Sequence, residues 1–196
     1  MYKKFSYYKL VDGTIEIDGI RMHQTSKKTP LEDANEKVSL IPLKSHYKAL
    51  DICTGLGYNA ILLSRKVKYV VTIENDIYVI NTAKKNDAST NLFLAENIFK
   101  ILANAESLIP VLPDEYFDVI YHDPPTLKRA GELYSQKFYY ELYRVLKPNR
   151  AIFHYTGKPG SKKGKNIPAG VKKRLAFAGF KNIKWIESVL GFVAKK

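Results

Sequence analysis

The stretch "YKALDICTGLGYNAI", Tyr47 to Ile61, decides the fold. It begins with a short apolar run broken by one carboxylate, Asp51, continues through two closely spaced glycines, Gly55 and Gly57, and ends in an apolar segment. A buried parallel strand, a tight turn and a helix are the reading that fits this order. Glycine lets a backbone turn sharply and approach a ligand with no side chain between them, and the start of the following helix offers unpaired N–H groups.

The same grammar continues outward. "NAILLSRK" reads as helix, "KYVVTIE" as strand, "DIYVINTAKKNDA" as helix and "NLFLA" as a third strand. "IFKILANAESL" then reads as helix, "FDVIYHD" as strand, "LYSQKFYYELYRVL" as helix and "AIFHYT" as strand. After a Gly/Lys loop come a helix, "PAGVKKRLAFAG", and two strands close together, "NIKWIES" and "LGFVAK". Regular β-α-β order predicts an α/β fold with a doubly wound, mostly parallel seven-stranded sheet, in which only the last strand runs antiparallel.

Residues 1–46 read as an N-terminal extension and residues 47–196 as the main domain. "KLVDGTIEIDGIRM" alternates around Asp12-Gly13 and Asp18-Gly19, which predicts short antiparallel strands joined by tight turns. "TPLEDANEKVSLI" predicts a helix capped by Thr29, with Pro30 at its first position and Glu32 closing a capping box.

Composition bounds the function. The 196 residues contain 32 Lys and Arg against 19 Asp and Glu, a net charge of +13. Such a surface attracts polyanions, with RNA the first candidate, although Lys-rich surfaces also accompany adaptation to heat. The run "GKPGSKKGKN" places Lys162, Lys163 and Lys165 in one glycine-rich loop, a composition suited to phosphate contact. One cysteine, Cys53, excludes an intramolecular disulfide framework, and four histidines without metal-ligand spacing argue against a metal centre. No apolar run approaches the roughly 18 residues that span a bilayer, and none resembles a signal peptide. A soluble cytoplasmic protein is expected.

In a doubly wound sheet, ligands sit beyond the carboxyl ends of the strands, where strand order reverses. The predicted strand ends are Asp51 to Gly57, Glu74, Glu96 and Asn97, His122 to Pro125, and Tyr155 to Gly157. Gly55, Gly57 and Ala60 satisfy the G-x-G-x-x-G/A spacing of dinucleotide folds, and Glu74 suits a ribose hydroxyl. The glycines alone do not choose between a nicotinamide dinucleotide and S-adenosylmethionine.

"LDICTGLGY" resembles the first motif of class I S-adenosylmethionine-dependent methyltransferases, and "YHDPPT", Tyr121 to Thr126, resembles the Asp-Pro-Pro motif of their amino-methylating members. "RVLKPNRAIFHYTG" is similar to the helix end and fifth strand of that superfamily, with Asn149 and Arg150 where two glycines are usual. The set "CTGLGY", "HDPP", "GELYSQKFY" and "FHYTGKPGSKKGKN" looks most like a group of archaeal proteins predicted to be methyltransferases, and more distantly like the bacterial methyltransferase domain that acts on wobble uridine in tRNA.

The resemblance implies S-adenosylmethionine as cofactor. Asp51, Gly55 and Gly57 would serve its methionine part, Glu74 its ribose, Asn97 and Ile98 its adenine, with Thr54, Tyr58 and Asn75 also cofactor-binding. It also implies Asp123 as the acceptor that orients a substrate amine, with Pro124 and Pro125 stiffening the pocket rim. Cys53 stands where such enzymes often have glycine, and Thr126 where they have an aromatic residue, so a stacking partner is sought in Tyr134, Tyr139 or Tyr155. Phe138, Leu142 and Val145 form a core stripe, which leaves Tyr134 as the substrate-facing ring. His122 and His154 are expected to pack rather than titrate, because methyl transfer to an amine needs no strong base. The expected activity is N-methylation of an amino group in RNA, most plausibly tRNA; protein or small-amine methylation, aminopropyl transfer and NAD-dependent oxidation are the alternatives.

Overall fold

The computed structural model describes residues 6–23, 25, 28–157 and 167–196. Strands β1 (Tyr8–Val11), β2 (Thr14–Ile17) and β3 (Ile20–Arg21) form a three-stranded antiparallel sheet. Both Asp-Gly pairs take left-handed backbone at both residues, with φ 49° and 71° at Asp12 and Gly13 and 53° and 79° at Asp18 and Gly19. That double positive φ matches the right-handed twist of the flanking strands. Helix α1 (Pro30–Ser39) starts as expected: the Thr29 hydroxyl accepts from Glu32 N at 3.2 Å, and the Glu32 carboxylate accepts from Thr29 N at 2.7 Å.

The main sheet holds seven strands: β4 (Lys48–Ile52), β5 (Tyr69–Glu74), β6 (Ile98–Leu102), β7 (Phe117–His122), β8 (Leu146–Tyr155), β9 (Lys181–Ile186) and β10 (Gly191–Lys195). Their order is β6-β5-β4-β7-β8-β10-β9, and β10 alone runs antiparallel to its neighbours. From β4 the chain steps outward to β5 and β6, then returns to β7 on the other flank of β4. The reversal therefore opens a crevice at the carboxyl ends of β4 and β7.

Side chains of the central strands alternate between two cores. Ala49, Val119 and Tyr121 pack with α1 and with α2 (Tyr58–Ser64) on one face. Leu50, Ile52 and Ile120 pack on the other face, against α6 (Gln136–Val145) and α7 (Ile167–Ala178). Phe138, Leu142 and Val145 are the buried stripe of α6.

The third strand differs from its expectation. "NLFLA" forms a short helix, α4 (Thr90–Leu94), after α3 (Ile77–Ala83), and the strand is the next apolar run, β6, followed by α5 (Ala105–Leu108). The reason is position in the sheet. As an edge strand β6 pairs only with β5, so Ile98 is buried while Phe99 and Leu102 are about half exposed, and the run lacks the uniform burial of a central strand. In α4 only Leu92 is buried, against the glycine turn.

The segment Lys147 to Arg150 loops out of the β7–β8 ladder, whose register passes from Phe117↔Leu146 to Val119↔Ala151. Asn149 supplies the left-handed residue there, at φ 60°.

The glycine turn is the tightest point of the fold. Gly57 sits at φ 81°, and a Cβ on it would meet Leu92 Cδ2 at 2.6 Å. Gly57→Ala combines backbone strain with a clash, so it is expected to lower unfolding stability by about 1–3 kcal/mol. A denaturant titration should show this as a lower midpoint at unchanged slope.

Candidate active site

A cavity of about 510 Å³ lies over the carboxyl ends of β4, β5 and β7. Its floor is the turn after β4. Cys53 and Thr54 donate to Ile73 O at 2.9 and 3.1 Å, and Gly57 N donates to Thr54 O at 2.8 Å. Cys53 is left-handed at φ 72°, Gly55 at 55°. Cys53 thus occupies, with a side chain, a conformation that glycine adopts at no steric cost.

Glu74 ends β5 beside the turn and lines the cavity. Its carboxylate accepts three amides: Gly55 N at 3.0 Å on Oε2, and Asn75 N and Asp76 N at 3.0 and 3.1 Å on Oε1. Burial raises this carboxyl and outweighs those donors. Thr54, Tyr58 and Asn75 also line the cavity. Tyr58 donates to Gly13 O at 2.7 Å, joining α2 to the N-terminal sheet.

Asp51 is fully buried and lies below the wall rather than on it. Its Oδ2 accepts from Thr72 Oγ1 at 2.7 Å, and Thr72 Oγ1 lies 2.6 Å from Thr54 Oγ1, so a chain of side chains leads from Asp51 to the cavity. Its Oδ1 has no hydrogen-bond partner among the described residues. Burial pushes the Asp51 carboxyl up to about 8, with the Asp123 and Glu74 charges adding to it against the Thr72 hydrogen bond.

At the end of β7, Asp123 faces the turn across the cavity. Its Oδ2 accepts from Lys37 Nζ at 2.7 Å and from Asn59 Nδ2 at 3.2 Å. Burial alone would raise the Asp123 carboxyl, but the Lys37 charge and these hydrogen bonds hold it below the usual range. Lys37 also pairs with Asp33 Oδ2 at 2.8 Å and lies 4.7 Å from the centre of the Tyr155 ring. Lys28 meets Asp33 Oδ1 at 3.1 Å on the outer side. Pro124 and Pro125 line the cavity as expected, and the Pro125 carbonyl accepts from Tyr134 OH at 2.8 Å.

Three residues expected at the site, Asn97, Ile98 and Tyr134, are placed elsewhere by the structure. Asn97 precedes β6 and Ile98 is its first residue, instead of both following a strand, so they lie at the opposite end of the sheet. Asn97 donates to Ser64 O at 2.9 Å there, and Ile98 packs in the core. Ala103, Asn104 and Ala105, which do follow β6, line the cavity in their place. Tyr134 is not a stacking surface: it is 3% exposed, and its hydroxyl braces Pro125 from behind. Of the three tyrosines considered, Tyr155 is the ring on the wall, while Tyr139 is buried on His154, 2.7 Å from its Nε2. Lys162, Lys163 and Lys165 lie outside the described residues.

The histidines pack as expected. Burial lowers His122 to about 4 and His154 well below its ordinary value, and both are enclosed in the core. Among the described residues no group of three or more His, Cys, Asp or Glu side chains could hold a metal ion, and no helix is long and apolar enough to cross a membrane.

Lys37, Asp33 and the N-terminal sheet went unread as site residues. Ile15, Ile17, Met22 and His23 all stand on the wall. The local trace of the cluster is the i,i+4 pair Asp33–Lys37 on α1. His23 has Nδ1 2.8 Å from Thr14 Oγ1, and burial with the Lys37 charge lowers it to about 4, so it is neutral at physiological pH.

Residues 36–169 match the family described as conserved hypothetical protein 95, and the chain belongs to that family. It is 47% identical over 194 residues to the uncharacterized protein MJ1233 of Methanocaldococcus jannaschii, an alignment covering 97% of this chain and 67% of that one. Among solved structures it is similar to spermidine synthase from Thermotoga maritima, at TM-score 0.70 and 21% identity over 92% of this chain and 63% of that one. It is also similar to a SAM-dependent methyltransferase from Aquifex aeolicus, at TM-score 0.58 and 22% identity over 83% and 87%. These two likenesses establish the Rossmann-like fold. The chain spans about two thirds of the archaeal relative and somewhat less of the synthase.

Asp51 generates a pH prediction. Unfolded, its carboxyl ionises near 3.8; folded, it stays protonated up to about 8. Its stability contribution is therefore complete below about pH 4 and is lost as pH rises through 8. Asp51→Asn, which cannot ionise, is expected to gain on the order of a few kcal/mol over wild type at pH 8 and nothing at pH 4. Urea midpoints across that range measure the difference.

Proposed function

We propose that this protein transfers the methyl group of S-adenosylmethionine to an amino nitrogen carried by RNA, with tRNA the first RNA to test. The observation that carries the transfer chemistry is the pairing, across one cavity, of the glycine turn with Glu74 on one side and Asp123 on the other. The residues fit such a cofactor: Glu74 is anchored by backbone amides for a ribose diol, Asn104 stands where the adenine end would be met, and the Thr54–Gly55 backbone lies bare beneath. The unpartnered Asn59 Oδ1 is a buried acceptor on the cavity wall that suits a ligand bearing cationic or N–H groups. Bound there, the cofactor would supply an electrophilic methyl on a sulfonium.

The protein's own contribution is orientation and charge. Lys37 and Asn59 hold Asp123 ionised and fix one of its oxygens, so the other is left to accept an N–H from the substrate amine. Accepting that hydrogen aims the nitrogen lone pair away from the carboxylate, and the negative charge stabilises the cation formed as the N–C bond grows. Pro124 and Pro125, the latter braced by Tyr134, keep the acceptor in place.

Charge distribution supports both halves of the reading. The whole chain carries +13. Among the described residues the cavity wall inverts that balance, with carboxylates of Asp33, Glu74, Asp76, Asp123 and Glu132 against cations of Arg21, Lys37 and Arg129. A basic exterior suits a polyanionic carrier, and an acidic interior suits the amine it presents. Aminopropyl transfer is the second reading: the likeness to spermidine synthase covers 92% of the chain, a share that requires most of residues 1–46.

Two experiments test the proposal. Asp123→Ala should cut methyl transfer from labelled cofactor about 100-fold or more while leaving S-adenosylhomocysteine affinity within about threefold, whereas Glu74→Ala should weaken that affinity at least about tenfold. Retained transfer in Asp123→Ala would sink the acceptor role. Neutralising Lys162, Lys163 and Lys165 together should lower RNA affinity and reduce its salt slope by about one unit for each phosphate that is no longer neutralised; an unchanged slope would remove that loop from the interface.

A further inference from the structure

We infer that Lys37 is the receptor for the carboxylate at the amino-acid end of the sulfonium cofactor, and that it selects the carboxylated form over a decarboxylated one. The assignment rests on the proposed cofactor and decides between the two chemistries open to it, because aminopropyl transfer consumes a decarboxylated cofactor.

Topology places the receptor. Glu74 ends β5 and Asp123 follows β7, and these strands flank β4 on opposite sides. A nucleoside whose ribose meets Glu74 therefore sends its sulfur-linked chain across the turn toward β7. Lys37 stands there, sharing Asp123 Oδ2 with Asn59 of the helix that follows the turn.

Of the three cations on the wall among the described residues, Lys37 is the buried one, with its side chain 7% exposed. Arg21 pairs with Asp12 and Arg129 donates to Ile17 O, both with exposed side chains at the rim. An ammonium has three N–H donors, and Lys37 uses two on Asp33 and Asp123. For the third no further oxygen acceptor stands among the described residues, and the Tyr155 ring lies 4.7 Å from the ammonium. Its pKa is raised: burial opposes the charge, but Asp123 and Asp33 outweigh it, so the cation persists at any physiological pH.

The signs complement one ligand end. Asp33, Lys37 and Asp123 present the sequence minus, plus, minus at spacings of 2.8 and 2.7 Å. An α-amino acid end offers an ammonium to the carboxylates and a carboxylate to Lys37. A decarboxylated end keeps the ammonium for the carboxylates but leaves Lys37 without the anion that its remaining donor would meet.

Calorimetry with three ligands tests this: S-adenosylhomocysteine, its decarboxylated analogue, and 5′-methylthioadenosine, which lacks the amino-acid end. Wild type should bind S-adenosylhomocysteine about 10- to 100-fold more tightly than the decarboxylated analogue. Lys37→Met should bring the two within about threefold, chiefly by weakening S-adenosylhomocysteine, with 5′-methylthioadenosine unchanged; Lys37→Arg should restore part of the preference. Should Lys37→Met fail to fold, Lys37→Met combined with Asp33→Asn removes the charge pair together and carries the same expectation. A preference that survives these variants, or equal wild-type affinity for all three ligands, overturns the assignment alone. Failure of wild type to bind any of them overturns the cofactor reading and the assignment with it.

Discussion

One ammonium between two carboxylates joins the two parts of this chain. Lys37 and Asp33 belong to α1, and Asp123 directly follows the central strand β7. A charge removed from water is stable only while its partners stay in place, and breaking such a buried pair costs about 3–5 kcal/mol. The cluster therefore fixes where α1 lies over the sheet. It also sets the protonation state of the residue on which the proposed chemistry turns.

Around that cluster the protein separates its charge. The chain is strongly basic, yet among the described residues the cavity at the β4–β7 crevice has more carboxylates than cations. A low-dielectric concavity concentrates the field of the groups that line it, so the interior attracts small cations although the molecule as a whole attracts polyanions. An acceptor that must stay ionised is served by this arrangement, since Lys37 and Asn59 compensate Asp123 without neutralising the cavity.

Much of the fold was legible because its signals are local. The glycine turn, the capping box at Thr29 and the Asp-Gly turns each specify backbone through residues a few positions apart. The third strand was not legible, because an edge strand buries one side and "NLFLA" and "IFKIL" are apolar to a similar degree. That exchange moved Asn97 to the far end of the sheet and brought Asn104 to the site. Tyr134 was misread since nothing in a sequence separates a ring facing a cavity from one bracing its rim. Lys37 was overlooked because its decisive partner lies 86 residues away.

The N-terminal sheet carries a consequence of its own. It walls the cavity through Ile15, Ile17 and His23, packs Ile15 and Ile17 into the core shared with α1 and α2, and is tied to the body by contacts of Tyr8 with Asp76 and Tyr78, Tyr58 with Gly13 and Arg129 with Ile17. A ligand that fills the cavity touches both the sheet and the body beneath it. Occupancy and the docking of residues 6–23 are then reciprocal: whatever tightens one tightens the other by the same factor.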